Sequence, residues 1–233
     1  FEEVSFGPIL YGAKKLGMHI HTRYEVSNNA GQDICDIVNN EGFDFLLVGS
    51  GISMSDSPDD IAATRYRTSF YNRYFKRFKA PESWFYPGAL LKDKTKMFIA
   101  RSNCDVGVFI NRNFVKATNT LVVISSEEDL FLLDYTRTLL KATHGSVGIV
   151  AKMSTTTPGH DQILKELWDF VSSTPQTQLL PDKDLTPGLF NSYNFMLIGY
   201  NTWNDVSEHR KEALQKMPST LILNKNKRSS SDN

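Results

Sequence analysis

The sequence predicts an α/β fold of two units in tandem, each with a mainly parallel sheet. Strand-length apolar runs alternate with helix-length amphipathic segments, a pattern typical of parallel strands joined by helical crossovers. With 233 residues, the chain is long enough for two domains of roughly 100 residues each. An apolar strand ending in glycine, residues 46–49 and again 196–199, precedes the last strand of each half. This repeat predicts units at residues 1–117 and 118–224, followed by a disordered tail at 225–233.

Composition excludes several classes of protein. Lysine and arginine total 26, and aspartate and glutamate also total 26, so no global field attracts nucleic acid. No apolar run approaches the roughly 18 residues that cross a bilayer, and no signal peptide is recognisable, so we expect a soluble chain. Its start at Phe1 rather than methionine leaves room for a larger protein. Cys35 and Cys104 lack metal-site spacing and are interpreted as core thiols in a reducing compartment.

In the first half, apolar periodicity predicts a helix at residues 9–16, a strand at 18–24, a helix at 30–41 and a buried strand at 43–48. In the first of these strands, His19 and His21 share one face. Such a pair could bind a metal or titrate near neutral pH, but a polar strand face is the simpler interpretation.

The buried strand at residues 43–48 runs directly into a glycine-rich turn. Glycines at the carboxyl end of such a strand let backbone amides approach phosphates. The full dinucleotide fingerprint and the lysine of a P-loop are both absent, so an ordinary tight turn stays open as an alternative. The candidate nucleotide-binding residues are Gly49, Ser50, Gly51 and Ser53.

An insertion at residues 53–97 carries an unusual aromatic and basic segment at 62–79. Aromatic residues recur there every four positions, and six cationic residues occur without an acid. The segment could pack on the protein's own core, contact a membrane or a membrane protein, or bind RNA, although neutral overall charge disfavours RNA. The candidate residues for membrane or partner contact are Arg65, Tyr66, Arg67, Phe70, Arg73, Tyr74, Lys76, Arg77 and Phe78.

The second half is more regular. Strands are predicted at residues 120–124, 146–151, 193–198 and 219–223, helices at 130–143, 160–172 and 206–217, and a loop at 175–187. Glu127, Glu128 and Asp129 precede the first helix, where the helix dipole explains them better than a catalytic cluster does. No nucleophile elbow, zinc-protease motif or paired catalytic motif is present, so we do not expect an enzyme.

Between the halves, residues 101–112 read Arg-Ser-Asn-Cys-Asp-Val-Gly-Val-Phe-Ile-Asn-Arg. This stretch resembles the Arg-Asn-Ala-Pro-Cys-Ser-Val-Gly-Ile-Leu-Val-Asp-Arg-Gly that marks the cytosolic region of cation/proton exchangers. In that family the stretch closes the first of two universal-stress-protein-like (Rossmann-like) halves. Ser102 and Asn103 replace the family's Ala-Pro, and Asn111 and Asn113 replace its Asp and Gly, which suggests a distant branch such as the fungal potassium/proton antiporters.

The resemblance implies a non-catalytic regulatory or assembly domain on the cytosolic face of an intracellular membrane, Golgi or endosomal. The implied partners are the transmembrane antiporter domain of the same polypeptide, a second copy in a homodimer, and anionic lipid, but not nucleic acid. No metal is expected.

Adenine nucleotide is the one cofactor to consider, because stress-protein domains bind it with an Asp after the first strand and a Gly-x-x-Gly loop after the fourth. In the second half Ser125 and the loop from Gly199 to Thr202 depart from that pattern, so the site looks lost there. The alternative function is a soluble, adenine-nucleotide-binding universal-stress-type protein.

Overall fold

The computed structural model describes residues 2–23, 25–49, 94–153, 159–181, 185–209 and 216–226. The strands of these residues form one seven-stranded sheet. In chain order the strands are β1 Phe45–Gly49, β2 Asp105–Ile110, β3 Asn119–Ile124, β4 Ser146–Ala151, β5 Thr177–Pro181, β6 Phe195–Gly199 and β7 Ser219–Asn224.

Seven helices accompany the sheet in the described ranges. They are α1 Glu2–Lys15, α2 Ala30–Glu41, α3 Lys94–Arg101, α4 Leu132–Thr143, α5 His160–Ser173, α6 Pro187–Phe190 and α7 Tyr200–His209, with a short 3-10 turn at Glu127–Asp129. Helix α2 ends where Gly42 adopts a left-handed φ of 68° and its N–H donates to the carbonyl of Val38. Glycine reaches that conformation at little cost, which makes it a common helix terminator.

In space the strands lie in the order β1-β2-β7-β6-β3-β4-β5. All neighbours are parallel except β2 and β7, which pair antiparallel. The predicted α/β class with a mainly parallel sheet is therefore confirmed. The division into two tandem units with boundaries at 117 and 118 stays a prediction, because both halves contribute to one continuous sheet.

Two helical layers cover the second half, as the alternation along β3 shows. Leu121 and Val123 point into a core with Trp203 of α7, whereas Val122 and Ile124 point into a core with α4 and α5. Each of these four β3 side chains is fully buried. Such two-sided burial explains why the strand is a continuous apolar run.

A pseudo-two-fold axis relates the last two strands of each half. In β1 and β2 Phe45 faces Asp105, and in β6 and β7 Phe195 faces Ser219, so both pairs are in register from their first residues. The antiparallel β2–β7 ladder is centred on Val108 opposite Ile222. The repeat seen in the sequence is thus a repeat in space for these four strands.

Three predictions of local structure were wrong. Residues 18–23 form no strand, although their apolar residues alternate. The loop predicted at 175–187 contains the edge strand β5, which pairs with β4, and the start of α6. Helix α7 also begins at Tyr200, earlier than the predicted start at residue 206.

Candidate functional site

The candidate site lies at the carboxyl ends of β3 and β6. These neighbouring strands send their following helices to opposite faces of the sheet, because α4 and α7 contribute to different cores. Open α/β sheets bind ligands in the crevice at such a switch point, outside the carboxyl ends of the strands. Its chemistry therefore depends on the residues that follow β3 and β6.

Asp129 fills this crevice. Its side chain is only 2% exposed, and one carboxylate oxygen, Oδ2, accepts four hydrogen bonds. The donors are the Ser125 backbone N–H at 2.8 Å, the Ser125 hydroxyl at 3.2 Å, the Ser126 N–H at 3.3 Å and the Thr202 hydroxyl at 2.6 Å. A charged group this buried is tolerated because donors surround it.

Gly199 provides the room for that carboxylate. A β-carbon built on Gly199 would lie 1.9 Å from Oδ1 of Asp129, which no real contact allows. The residue directly before α7 therefore has no side chain, and a carboxylate lies where an anion would otherwise meet the amino end of that helix. The chain supplies its own anion to the position at which related architectures place a phosphate.

Sequence reasoning missed this role. Glu127, Glu128 and Asp129 do lie at a helix start, as predicted, and Asp129 accepts from the N–H of Ser126 in a capping box. The prediction did not include the hydrogen bond from Thr202, which reaches Asp129 from across the switch point. Glu128 also reaches across, accepting from the side-chain amide of Asn201 at 2.7 Å. The available signal was a glycine followed three residues later by threonine, directly after a buried strand.

An open cleft of about 750 Å³ extends from this edge over the outer surface of α4 and α5. Six of its lining residues are acids, namely Glu127, Glu128, Asp129, Asp134, Glu166 and Asp169, against the two cations Arg137 and Lys225. Arg137 already pairs with Asp134 at 2.8 Å. Such an acidic lining repels a nucleotide polyphosphate.

The nucleotide-binding residues predicted in the first half are only partly within the described ranges. Gly49 ends β1, and a β-carbon built there would meet nothing within 4 Å. Ser50, Gly51 and Ser53 lie outside the described residues. The aromatic and basic segment at 62–79 and most of the tail at 225–233 also lie outside them.

His19 and His21 lie in the exposed irregular segment before α2. In the part of the chain that the structure describes, no group of three or more His, Cys, Asp or Glu side chains is placed to hold a metal. Within the same ranges, no helix is both long and apolar enough to cross a membrane. Cys35 and Cys104 are buried free thiols, as expected from the sequence, and burial raises the pKa of Cys104.

The stretch at residues 101–112 forms the junction between the halves. Its strand β2 pairs with both β1 and β7. Asp105 accepts a hydrogen bond from the hydroxyl of Tyr135 in α4 at 2.9 Å and another from the N–H of Asn226 at 2.8 Å. Asn226 also donates through its side chain to the carbonyl of Ser102 at 2.9 Å. Residues 101–112, which resemble the exchanger motif, therefore connect the two halves through strand pairing and hydrogen bonds.

We expect the Tyr135→Phe variant to lose about 1–2 kcal/mol of unfolding free energy at neutral pH, because Asp105 loses a hydrogen bond to its charged carboxylate. Burial, and then the hydrogen bond and charge of Asp105, raise the pKa of Tyr135. The folded protein thus holds the phenol proton more tightly than the unfolded chain, in which tyrosine titrates near pH 10. Native stability should be constant below about pH 10 and fall above it.

Urea unfolding between pH 7 and 11 measures this effect. The variant should lack the alkaline loss, so its deficit should shrink above about pH 10. Tyr11→Phe is the control, because Tyr11 is 63% exposed and its change should be neutral. Equal alkaline slopes for wild type and the Tyr135 variant would contradict the assignment.

Comparison with solved structures finds the same architecture in universal stress proteins. A universal stress protein from Archaeoglobus fulgidus DSM 4304 superposes with a TM-score of 0.54 at 10% sequence identity, covering 97% of this chain and 77% of that one. The chain therefore has a universal-stress-protein-like fold. At this identity the likeness establishes the fold alone.

Two further matches come from Pseudomonas aeruginosa. One is a putative universal stress protein of strain UCBPP-PA14, at a TM-score of 0.48, 11% identity, and coverage of 97% of this chain and 79% of that one. The other is a functionally unknown protein of strain PAO1, at a TM-score of 0.49 with the same identity and coverages. No protein-family model matches the chain. A search of curated proteins finds no match either.

Proposed function

We propose that this chain is a non-catalytic regulatory or assembly domain of a membrane monovalent cation (potassium)/proton antiporter. The observation that carries the proposal is the occupation of the switch point by Asp129, which is buried, saturated with hydrogen bonds and packed on Gly199. A stress-protein-like fold with its crevice filled by its own carboxylate is suited to a structural role.

The resemblance at residues 101–112 supplies the antiporter context. Its central position supports an assembly role, because β2 pairs with both β1 and β7 and joins the two halves in one sheet. Hydrogen-bonded sheets are stiff, so a displacement of one half would move the other with it. A domain of this kind can transmit a change in its contacts to an attached transporter.

The proposed partners follow from this role. The first is the transmembrane part of the same polypeptide, where the ionisable residues that exchange a cation for a proton would lie. A homodimer and anionic lipid on the cytosolic face of a Golgi or endosomal membrane are the others. The aromatic and basic segment at 62–79 is the proposed contact for lipid or for the transmembrane part.

The test uses the complete reading frame that encodes this chain, expressed in cells lacking their own potassium/proton antiport. Potassium-driven proton flux in isolated vesicles should require the reading frame, and replacing Arg73, Lys76 and Arg77 by Glu should change the flux or the assembly. Lys141→Glu with Lys165→Glu, exposed on α4 and α5, is the matched charge control and should change neither. A complete reading frame without hydrophobic spans would overturn the proposal. Unaltered transport and unaltered assembly after replacement of Arg73, Lys76 and Arg77 would also overturn it.

The second candidate is a soluble adenine-nucleotide-binding protein of the universal stress type. Among the described residues, nothing lies within 4 Å of a β-carbon built on Gly49, whereas the equivalent position in the second half is filled by a carboxylate, and this difference favours the second candidate. Titration calorimetry of the purified chain with ATP would detect binding. Absence of heat at millimolar ATP would eliminate this candidate and leave the antiporter proposal intact.

A further inference from the structure

The outer edge of β1 is the place where the pseudo-symmetry of the sheet breaks. Under the two-fold axis, β1 corresponds to β6 and β2 corresponds to β7. The outer edge of β6 pairs in parallel with β3, with Val122 opposite Leu197. Among the described residues no strand pairs with the outer edge of β1, which ends the sheet on that side.

The side chains on the two equivalent strands have opposite exposure. Leu197 of β6 is 2% exposed because β3 lies beside it and α4 lies above it, whereas Leu47, its equivalent in β1, is 57% exposed. Leu47, Phe45 and Leu221 surround Gly107 on one face, and a β-carbon at Gly107 would meet all three within 3.3 Å. This close-packed apolar face is of the kind that a sheet presents to a covering helix.

The order of elements defines what is lacking. In the second half, the strand–helix–strand unit β3-α4-β4 is followed by α5, β5, α6 and then β6. The first half shows α1, an irregular segment at 18–23, α2 and then β1, and α1 and α5 are both 14 residues long. The unit that would correspond to β3-α4-β4 has no counterpart in the described first half.

Residues at the end of α1 and directly after it are also exposed and apolar. Leu16, at the end of α1, is 75% exposed, and Met18 and Ile20 are 56% and 38% exposed. Residues 18–23 show the alternation of a strand but form no strand of the described sheet. In the second half the corresponding strand, β5, is held by β4. The alternation at 18–23 is therefore that of a strand without its neighbour.

We propose that the outer edge of β1 and the face around Leu47 are the docking surface for a strand–helix–strand unit of the same polypeptide, placed ahead of α1. Its two strands would lie parallel to β1, between β1 and residues 18–23, and its helix would cover Leu47 and Phe45. A second copy of the chain fits less well, because two β1 edges related by a two-fold axis pair antiparallel, whereas the equivalent edge of β6 takes a parallel strand.

The inference does not rest on the antiporter function, because it concerns only how the β1 edge of the sheet is completed. Its test likewise measures protection and stability rather than transport.

The test compares the 233-residue chain with the polypeptide extended upstream in its own reading frame. Amide hydrogen exchange at residues 45–49 should slow by about tenfold or more in the extended polypeptide, while β3 and β4 stay unchanged. Leu47→Lys should barely shift the unfolding midpoint of the 233-residue chain and should lower it clearly in the extended one. Val115→Lys is the matched control, because Val115 is 92% exposed and lies outside this surface, so it should do nothing in either.

Three results would overturn the proposal. One is equal exchange at residues 45–49 in the two polypeptides. Another is hydrogen-exchange protection of β1 in the 233-residue chain that increases with protein concentration. That result would show a second copy of the chain pairing with the β1 edge. The third is a reading frame too short upstream to encode a strand–helix–strand unit.

Discussion

The Gly199→Ala variant should lose about 3 kcal/mol of unfolding free energy. Its added methyl group would lie 1.9 Å from Oδ1 and 3.1 Å from Cγ of Asp129. The carboxylate cannot step aside cheaply, because the Asp129 side chain is short, buried and held by donors from Ser125, Ser126 and Thr202. Urea unfolding monitored by circular dichroism gives the free energy.

The pseudo-symmetry provides a matched control for this substitution. Gly49 ends β1 as Gly199 ends β6, yet a β-carbon at Gly49 meets nothing within 4 Å, so Gly49→Ala should stay within about 0.5 kcal/mol of wild type. Combining Gly199→Ala with Asp129→Ala should cost clearly less than the two single changes added together. Strict additivity would show that the two residues do not share the crevice.

Asp129→Ala should cost about 3 kcal/mol or more, because truncation leaves the Ser125 and Ser126 amides and the Thr202 hydroxyl without their shared acceptor. Those donors then line an empty anion site beside the start of α7. Phosphate at tens of millimolar should therefore raise the thermal midpoint of the variant more than that of the wild type. Differential scanning fluorimetry with and without phosphate measures both effects.

The matched control is Asp134→Ala, an acid from the same cleft. Its side chain is 73% exposed and pairs with Arg137, so its loss should change stability by less than about 1 kcal/mol. Should Asp129→Ala prove as mild as Asp134→Ala, the buried carboxylate would not be the group that closes the crevice.

Strands buried on both faces could be predicted from sequence, because their composition alone identifies them. The apolar runs that became β2, β3, β4, β6 and β7 needed no knowledge of their neighbours, and β1 was found from the same kind of run although its Leu47 is exposed. The edge strand β5 was missed because it ends in Pro181, where the ladder loses a donor, and because its first residues, Thr177 and Gln178, are polar. Residues 18–23 gave the opposite error, since alternation predicts a strand only where another strand is present to pair with it.

The candidate site was harder to predict than the fold. Asp129 and Gly199 meet only because β3 and β6 are neighbours in space, and no local pattern contains that adjacency. The loss of a nucleotide site in the second half was inferred from residues that depart from a motif. That departure could not reveal that a carboxylate takes the ligand's place.

The antiparallel ladder between β2 and β7 also constrains how the chain is made. β2 emerges from the ribosome well before β7, which is the last strand of the sheet, yet the two pair along their whole length. Until β7 has been synthesised, Val106, Val108 and Ile110 lie on a strand with one unpaired edge, a species prone to wrong association. Truncation before residue 219 would leave this edge of β2 permanently without its partner strand.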